Sequence, residues 1–314
     1  MLLYNQTHRK REHYQPNITS RLLEDLPRGK VIFGTMFREF SFLNRVIGEG
    51  RDPIKEVYES GYRFVIIDCE HKAFNSETLA EFAERAHEVG ISIWIRPEQT
   101  SQPPISMYAD LGFSGFMVPN VNYPEEAQFV VDRVYLPPLA QPVKKRDRGR
   151  RGFSLGDILK DGQKFRNIKD GERYANKNIL VTVQTEHPLG IKNLANILSV
   201  RGVYGTIVGT NDLARGIVQW RGDEHLIELD FSAMYRHNLM MEAYKSVGEI
   251  CRSKKKYAGI HFTEVDEVDL VKKLVNEFGY QLIILGRDEN FNESEFVEFL
   301  KQVTSSPPIR GGPS

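Results

Sequence analysis

ILVTVQTEHPLGIKNLANILSVRGVYGTIVGTNDLARG (179–216) reads as a strand, a helix and a second strand. ILVTVQTE (179–186) is a continuous β-rich run closed by a carboxylate, Glu186. GTIVGT (205–210) is a second such run, and Asp212 follows it. Neither run alternates apolar with polar residues, which is the pattern of strands covered on both faces. LGIKNLANILSV between them carries helical spacing, so the strands are parallel neighbours joined by a crossover helix. Two hard oxygen ligands at the ends of adjacent strands are what a Mg²⁺ or Mn²⁺ site needs when a substrate supplies further oxygens.

The same rhythm extends in both directions. Upstream lie VIFGTM (31–36), RFVIID (63–68), ISIWIRP (91–97) and GFMVP (115–119). Downstream lie YAGIHF (257–262) and QLIILG (281–286), which makes eight runs in all. Helical patterns such as SETLAEFAERAHEVG and EVDLVKKLVNEFG separate most of them. Ser76 and Glu77 mark a helix start and Gly90 a stop. Eight strand–helix alternations favour an α/β fold of the (β/α)₈ TIM-barrel type over an open doubly wound sheet. The GEG at 48–50 follows no strand, so a dinucleotide fingerprint fails.

Two stretches interrupt the rhythm. Residues 139–178, with KKRDRGRRG, form a basic insertion between runs four and five. It reads either as a solvated loop or as a lid over the C-terminal face, where its arginines would suit an acidic or phosphorylated substrate. Residues 1–29 read as an N-terminal appendage, 30–304 as the barrel and 305–314 as a disordered tail.

The 42 basic and 42 acidic side chains cancel, so no global field draws the chain to nucleic acid or to a membrane surface. No apolar run approaches the roughly 20 residues that span a bilayer. The N-terminus lacks the apolar core of a secretory signal. Only Cys69 and Cys251 occur, which excludes a disulfide framework and a cysteine-rich metal site. These features together place the expected protein in the cytoplasm.

In a barrel of this kind, chemistry comes from the C-terminal ends of strands. That filter selects Asp68 and His71 after run two, Arg96 after run three, Gln184 and Glu186 after run five and Asp212 after run six. Glu186 and Asp212 are the expected metal ligands for Mg²⁺, Mn²⁺ or Co²⁺. His187 points away from Glu186, because adjacent residues of an extended chain face opposite ways. His71 is the candidate base, with Asp68 to orient it or share its proton. Arg96 is a permanent cation placed to meet an enolate oxygen, or else a salt-bridge partner of Asp68 or Glu70. Cys69 reads as a buried filler rather than a nucleophile. Lys72, beside His71, is poorly placed for a Schiff base.

These motifs, in order, resemble the HpcH/HpaI aldolase/citrate lyase family over about residues 31–290. IDCEHKAFNSETL is similar to its D-x-E-H segment, WIRP to its arginine segment, and GFMVPNVNYPEEA to a stretch matched at Pro119, Val121 and Glu126. VQTE is similar to Q-x-E, VGTNDL to G-P-x-D-L, and LGRD (285–288) to its closing strand. The resemblance implies a barrel of the phosphoenolpyruvate/pyruvate-binding type. It implies Asp68 and His71 as an acid–base pair, Arg96 as enolate stabiliser, and Glu186 and Asp212 as ligands. Gln184 becomes a substrate contact, and Gly209, Thr210 and Asn211 become backbone donors to a substrate carboxylate. It further implies a class II aldolase acting on pyruvate or a short 2-oxo acid and an aldehyde, through a metal-bound enolate, with a 4-hydroxy-2-oxo acid on the other side of the reaction. A homo-oligomer, trimer or hexamer, with an exchanged C-terminal helix is implied as well. The departures are KAFN after His71, Thr210 in place of proline, and an arginine displaced into the insertion. Other enolate reactions stay open: condensation, decarboxylation or citrate-lyase-like cleavage of an acyl thioester. A non-catalytic ligand-binding barrel is the reading from another class.

Overall fold

The structure, a computed structural model, describes residues 18–39, 52–98, 105–136, 151–152, 165–222, 224–263, 267–287 and 293–304. Eight strands form a closed barrel in sequence order, each hydrogen-bonded in parallel to the next and the last to the first. They are β1 (Ile32–Phe37), β2 (Phe64–Asp68), β3 (Ser92–Arg96) and β4 (Gly115–Val118), then β5 (Leu180–Thr185), β6 (Val203–Gly209), β7 (Tyr257–Phe262) and β8 (Tyr280–Arg287). Every apolar run is a strand, and the expected TIM-type barrel is the observed fold.

Helices surround it in the order α1 (Ile18–Asp25), α2 (Pro53–Ser60), α3 (Ser76–Val89), α4 (Ile105–Asp110), α5 (Pro124–Val134) and α6 (Ile168–Lys177). Then follow α7 (Pro188–Ile197), α8 (Thr210–Arg221), α9 (His225–Glu228), α10 (Phe231–Arg236), α11 (Asn238–Ser253), α12 (Val268–Lys273) and α13 (Glu293–Thr304). Local chemistry sets their ends. α3 starts at Ser76, as expected from sequence, and is capped by Asn75, whose Oδ1 accepts the Thr78 N–H at 2.8 Å. The helix stops at Gly90, which takes the left-handed conformation as expected. No helix among the described residues is long and apolar enough to cross a membrane.

Two apolar layers divide the core. One lies between the strands and the helices; the other fills the barrel. The interior cluster takes inward residues of seven strands, Ile32 and Met36, Phe64 and Ile66, Trp94, Met117, Leu180, Ile207, and Leu282 with Ile284, and Tyr257 of β7 packs against it. Phe64 and Trp94 stack with ring centroids 4.2 Å apart. Gly34 and Gly115 make room for them, since a Cβ at either would lie 2.2 and 2.0 Å from those rings. Leu22 and Leu26 belong to the same interior cluster, so residues 18–28 pack into the barrel they precede.

α13 seats on its own barrel, with Phe296 stacked 3.5 Å from Tyr62 and edge-on to Phe33.

Much of the basic insertion (139–150 and 153–164) lies outside the described residues, as do 1–17 and the tail 305–314. Its C-terminal part is helical rather than loop, namely α6, capped by Asn167. The neck is pinned. Asn176 Oδ1 accepts the Leu136 N–H at 2.8 Å, while its Nδ2 donates to the Leu136 carbonyl at 2.9 Å. Arg151, an insertion arginine, is buried against Asp110 and the Val134 carbonyl. It is a structural cation rather than a substrate contact.

Candidate active site

The alternation that fills the barrel also builds its C-terminal mouth. If Met36, Ile66, Trp94 and Ile207 face inward, then so do the residues two positions later: Arg38, Asp68, Arg96 and Gly209. On β5, Gln184 and Glu186 continue the inward series from Leu180; on β7, His261 and Thr263 do so from Gly259. The apolar interior therefore ends in a polar layer. It surrounds a small cleft of about 70 Å³. Lining it are His71, Arg96, Gln184, Glu186 and Asp212, with Gly209, Thr210 and Asn211 at the start of α8. Asp68 sits directly behind Arg96.

Strand register explains the first pairing. Asp68 and Arg96 are partners across β2 and β3, facing the same way at the same height. Arg96 Nε donates to Asp68 Oδ1 at 2.9 Å, and Nη2 lies 2.7 Å from Oδ2. Arg96 Nη1 reaches Glu70 Oε2 at 3.2 Å, and Arg38 Nε donates to Asp68 Oδ2 at 3.2 Å. Burial alone would raise the Asp68 carboxyl, but the Arg96 hydrogen bond and charge and the His71 N–H outweigh it and hold Asp68 below the usual range. The expected salt bridge of Arg96 thus forms with both candidate acids. Preorganisation follows, because a guanidinium clamped by two carboxylates keeps N–H groups in a fixed direction.

His71 differs from expectation in one respect. Asp68 Oδ1 accepts its backbone N–H at 3.3 Å, together with the Glu70 N–H at 3.1 Å, and does not bond its ring. The ring is half exposed at the mouth, its Nε2 3.7 Å from Glu70 Oε2. Asp68 therefore shapes the loop that carries His71, while Glu70 is the acid beside the imidazole.

The opposite wall is less compensated. Glu186 is 8% exposed; its Oε2 accepts the Asn120 N–H at 2.7 Å and its Oε1 accepts Gln184 Nε2 at 2.8 Å. Asn120 adopts a left-handed φ of 49°, which asparagine tolerates, to aim that N–H. Burial, then the charge of Glu70, with a further contribution from Asp212, pushes the Glu186 carboxyl up to about 8. Gly209 leaves the space the carboxylate fills, since a Cβ there would lie 2.5 Å from Glu186 Oε1. Asp212 lies in the first turn of α8 and lines the same cleft. Among the described residues no group of three or more His, Cys, Asp or Glu side chains forms a ready cation cage. What the cleft offers is an acidic pair with open positions, and a buried carboxylate raised this far is stabilised by a cation.

α8 begins at the cleft, with Gly209 as its N-cap and Thr210 and Asn211 as its first residues. Its leading N–H groups lack partners within the helix and suit an anion. Thr210, which departs from the proline of the family pattern, donates its hydroxyl to the His261 carbonyl at 3.0 Å and ties α8 to β7.

Several residues take no place at the cleft. His187 caps α7, its Nδ1 accepting the Leu189 N–H at 3.1 Å, and turns its ring edge to Trp220. Cys69 is buried, and its thiol is pushed up to about 12 by burial and the charges of Glu98 and Asp68. Lys72 pairs with Glu39 at 3.5 Å. Glu126 closes the N-terminus of α5, accepting the Asn122 and Tyr123 N–H groups at 2.7 and 3.0 Å.

Arg38, His261 and Thr263 line the cleft as well, and sequence reasoning passed over all three. The signal was present. Each stands at an inward position of its strand series, one or two steps beyond the last apolar interior residue.

A parallel barrel whose strand ends carry a clamped arginine, an acidic pair and a helix N-terminus defines a class of enzyme-like sites. Within that class the assignment is specific. The chain belongs to the HpcH/HpaI aldolase/citrate lyase family, whose profile spans residues 46–278. It is 31% identical over 159 residues to a hydroxypyruvate/pyruvate aldolase of Deinococcus radiodurans, covering 50% of this chain and 53% of that protein. It is 28% identical over 158 residues to a 2-keto-3-deoxy-L-rhamnonate aldolase of Salmonella paratyphi B, covering 50% and 55%. The chain thus spans about half the length of the curated relatives it matches. In three dimensions it is similar to an HpcH/HpaI aldolase from Desulfitobacterium hafniense, with a TM-score of 0.70 at 24% identity over 92% of this chain and 99% of that one. That likeness concerns the fold.

Proposed function

We propose that this protein is a divalent-metal-dependent aldolase that forms or cleaves a 4-hydroxy-2-oxo acid, with pyruvate or a short 2-oxo acid as one partner and an aldehyde as the other. The observation that carries the reading is the facing of a clamped Arg96 and the acidic pair Glu186–Asp212 across one cleft. The names of the half-length relatives point the same way.

Glu186 and Asp212 would hold Mg²⁺, Mn²⁺ or Co²⁺, which when bound supplies a Lewis acid for the keto oxygen. The N–H groups at Thr210 and Asn211 receive the substrate carboxylate, and Gln184 lies beside it. In the cleavage direction His71 takes the proton of the 4-hydroxyl as the bond between C3 and C4 breaks. The electron pair passes into the enolate, whose oxygen meets the fixed N–H groups of Arg96. The aldehyde leaves, and the proton is returned to C3 to give the 2-oxo acid. Asp68 holds Arg96 and the His71 loop.

Incubation of the purified protein with pyruvate and a panel of aldehydes, with Mn²⁺ and after EDTA, tests this reading. Metal-stimulated formation of a 4-hydroxy-2-oxo acid is expected, and full activity in EDTA contradicts it. Cleavage of a supplied acyl thioester, in place of hydroxy-oxo acid formation from pyruvate and aldehyde, would move the reaction to a citrate-lyase type. A homo-oligomeric assembly, trimer or hexamer, belongs to the same reading and is tested by light scattering.

A further inference from the structure

Behind the cleft lies a buried tyrosine that neither strand-end logic nor the family pattern picks out. Tyr235 sits on α10, fully buried, with its ring 5.0 Å from Phe262 and 6.2 Å from Phe231. Its hydroxyl donates to Asn211 Oδ1 at 3.2 Å and lies 3.2 Å from Thr263 Oγ1. Both partners line the cleft. α10 is itself fastened: Asp230 caps it, and Arg236 pairs with buried Glu267 at 2.5 Å.

The direction of these bonds matters. A tyrosine hydroxyl has one proton, so giving it to Asn211 leaves the oxygen to accept from Thr263. The chain then runs Thr263 to Tyr235 to Asn211. An asparagine amide has an acceptor end and a donor end, and here the acceptor end is taken. The N–H end remains for the cleft, on the first turn of α8 where the helix N-terminus already favours an anion. With the amide reversed, its oxygen would face the same anion and repel it.

We propose that Tyr235 is a positioning residue for the 2-oxo-acid carboxylate, acting by fixing the Asn211 amide with its N–H end toward the cleft. This inference rests on the proposed function. It names the group that makes the α8 end selective for a carboxylate, and a phenylalanine in the same place would pack equally well without it.

The test is a double-mutant cycle in steady-state kinetics with the full-length protein, Mn²⁺ and pyruvate. Tyr235→Phe is expected to raise KM for pyruvate about 5- to 10-fold, the size of one neutral hydrogen bond, with kcat within about twofold. In an Asn211→Ala background the same change is expected to add nothing. An unchanged KM, a fall in kcat alone, or an equal KM increase in the Asn211→Ala background each overturns the inference. Wild-type protein that neither binds nor turns over pyruvate overturns the proposed function and this inference with it. An active wild type with an indifferent Tyr235→Phe overturns the inference alone.

Discussion

The two walls of the cleft hold the same kinds of atoms in opposite conditions. On the β2–β3 wall, Asp68 and Glu70 face Arg96 and Arg38, so charge meets charge at 2.7 to 3.2 Å. On the β5–β6 wall, Glu186 has a neutral amide and one backbone N–H as partners, and the charges of Glu70 and Asp212 raise it while that of Arg96 opposes them only in part. The first wall is complete as folded; on the proposed function, the second is the one that a bound cation would complete. The contrast teaches that one barrel mouth can offer a fixed electrophilic N–H cluster and a cation seat by assigning its arginines to one side only.

Removing the cation of the complete wall should have the largest effect. Arg96→Ala leaves Asp68 buried without its main partner, and breaking such a pair costs on the order of 3–5 kcal/mol of stability. Arg96→Lys keeps a charge but loses the fork, and turnover is expected to fall about 10²- to 10³-fold, the usual loss when a preorganised donor is removed. Denaturant melts and kcat values for the two variants separate the structural from the chemical part.

Next is a change that leaves every charge in place. Gly209→Ala puts a Cβ where the Glu186 carboxylate lies, so the acid must move. Affinity for Mn²⁺ by calorimetry is expected to drop about 10- to 100-fold, as for disturbed metal-site partners. An unchanged affinity would mean that Glu186 is not a ligand.

A smaller effect concerns pH in metal-free protein. The Glu186 carboxyl is raised in the folded state from 4.5 to about 8, so the fold binds a proton that the unfolded chain releases. That stabilisation is complete below the unfolded value and is lost as pH rises through about 8. Glu186→Gln should flatten this part of the profile in thermal melts with EDTA, and an identical slope in both proteins would contradict the assignment. The smallest expected effect is none. Lys72→Ala should leave kcat and KM unchanged within about twofold, as an exposed ion pair with Glu39 contributes little.

Most of the fold was legible because a parallel strand covered on both faces leaves an uninterrupted apolar run, and all eight runs became strands. α6 was not legible as a helix: RNIKDGERYANKN is polar nearly throughout and carries Gly171, so no apolar stripe announced it. At the cleft, residues whose type stands out at a strand end (Arg96, Glu186, Asp212) could be named from sequence. His261, placed inside YAGIHF, and Arg38, placed after a run taken to end at Met36, required the inward series to be followed past the apolar residues. The bond from Asp68 to the His71 backbone rather than to its ring was beyond sequence altogether, since it depends on how the loop after β2 turns. Tyr235 lies in a segment brought to the cleft by α10, and no local pattern marks it.

The central claim is that the acidic wall holds a cation that the arginine wall alone cannot replace. Exchange of the methyl protons of pyruvate for deuterium, followed by NMR, reads this without need of the correct aldehyde. The account predicts exchange by wild-type protein with Mg²⁺ or Mn²⁺, lost in EDTA and lost in Glu186→Ala with metal present. Exchange that continues undiminished in EDTA, or in Glu186→Ala, would contradict it.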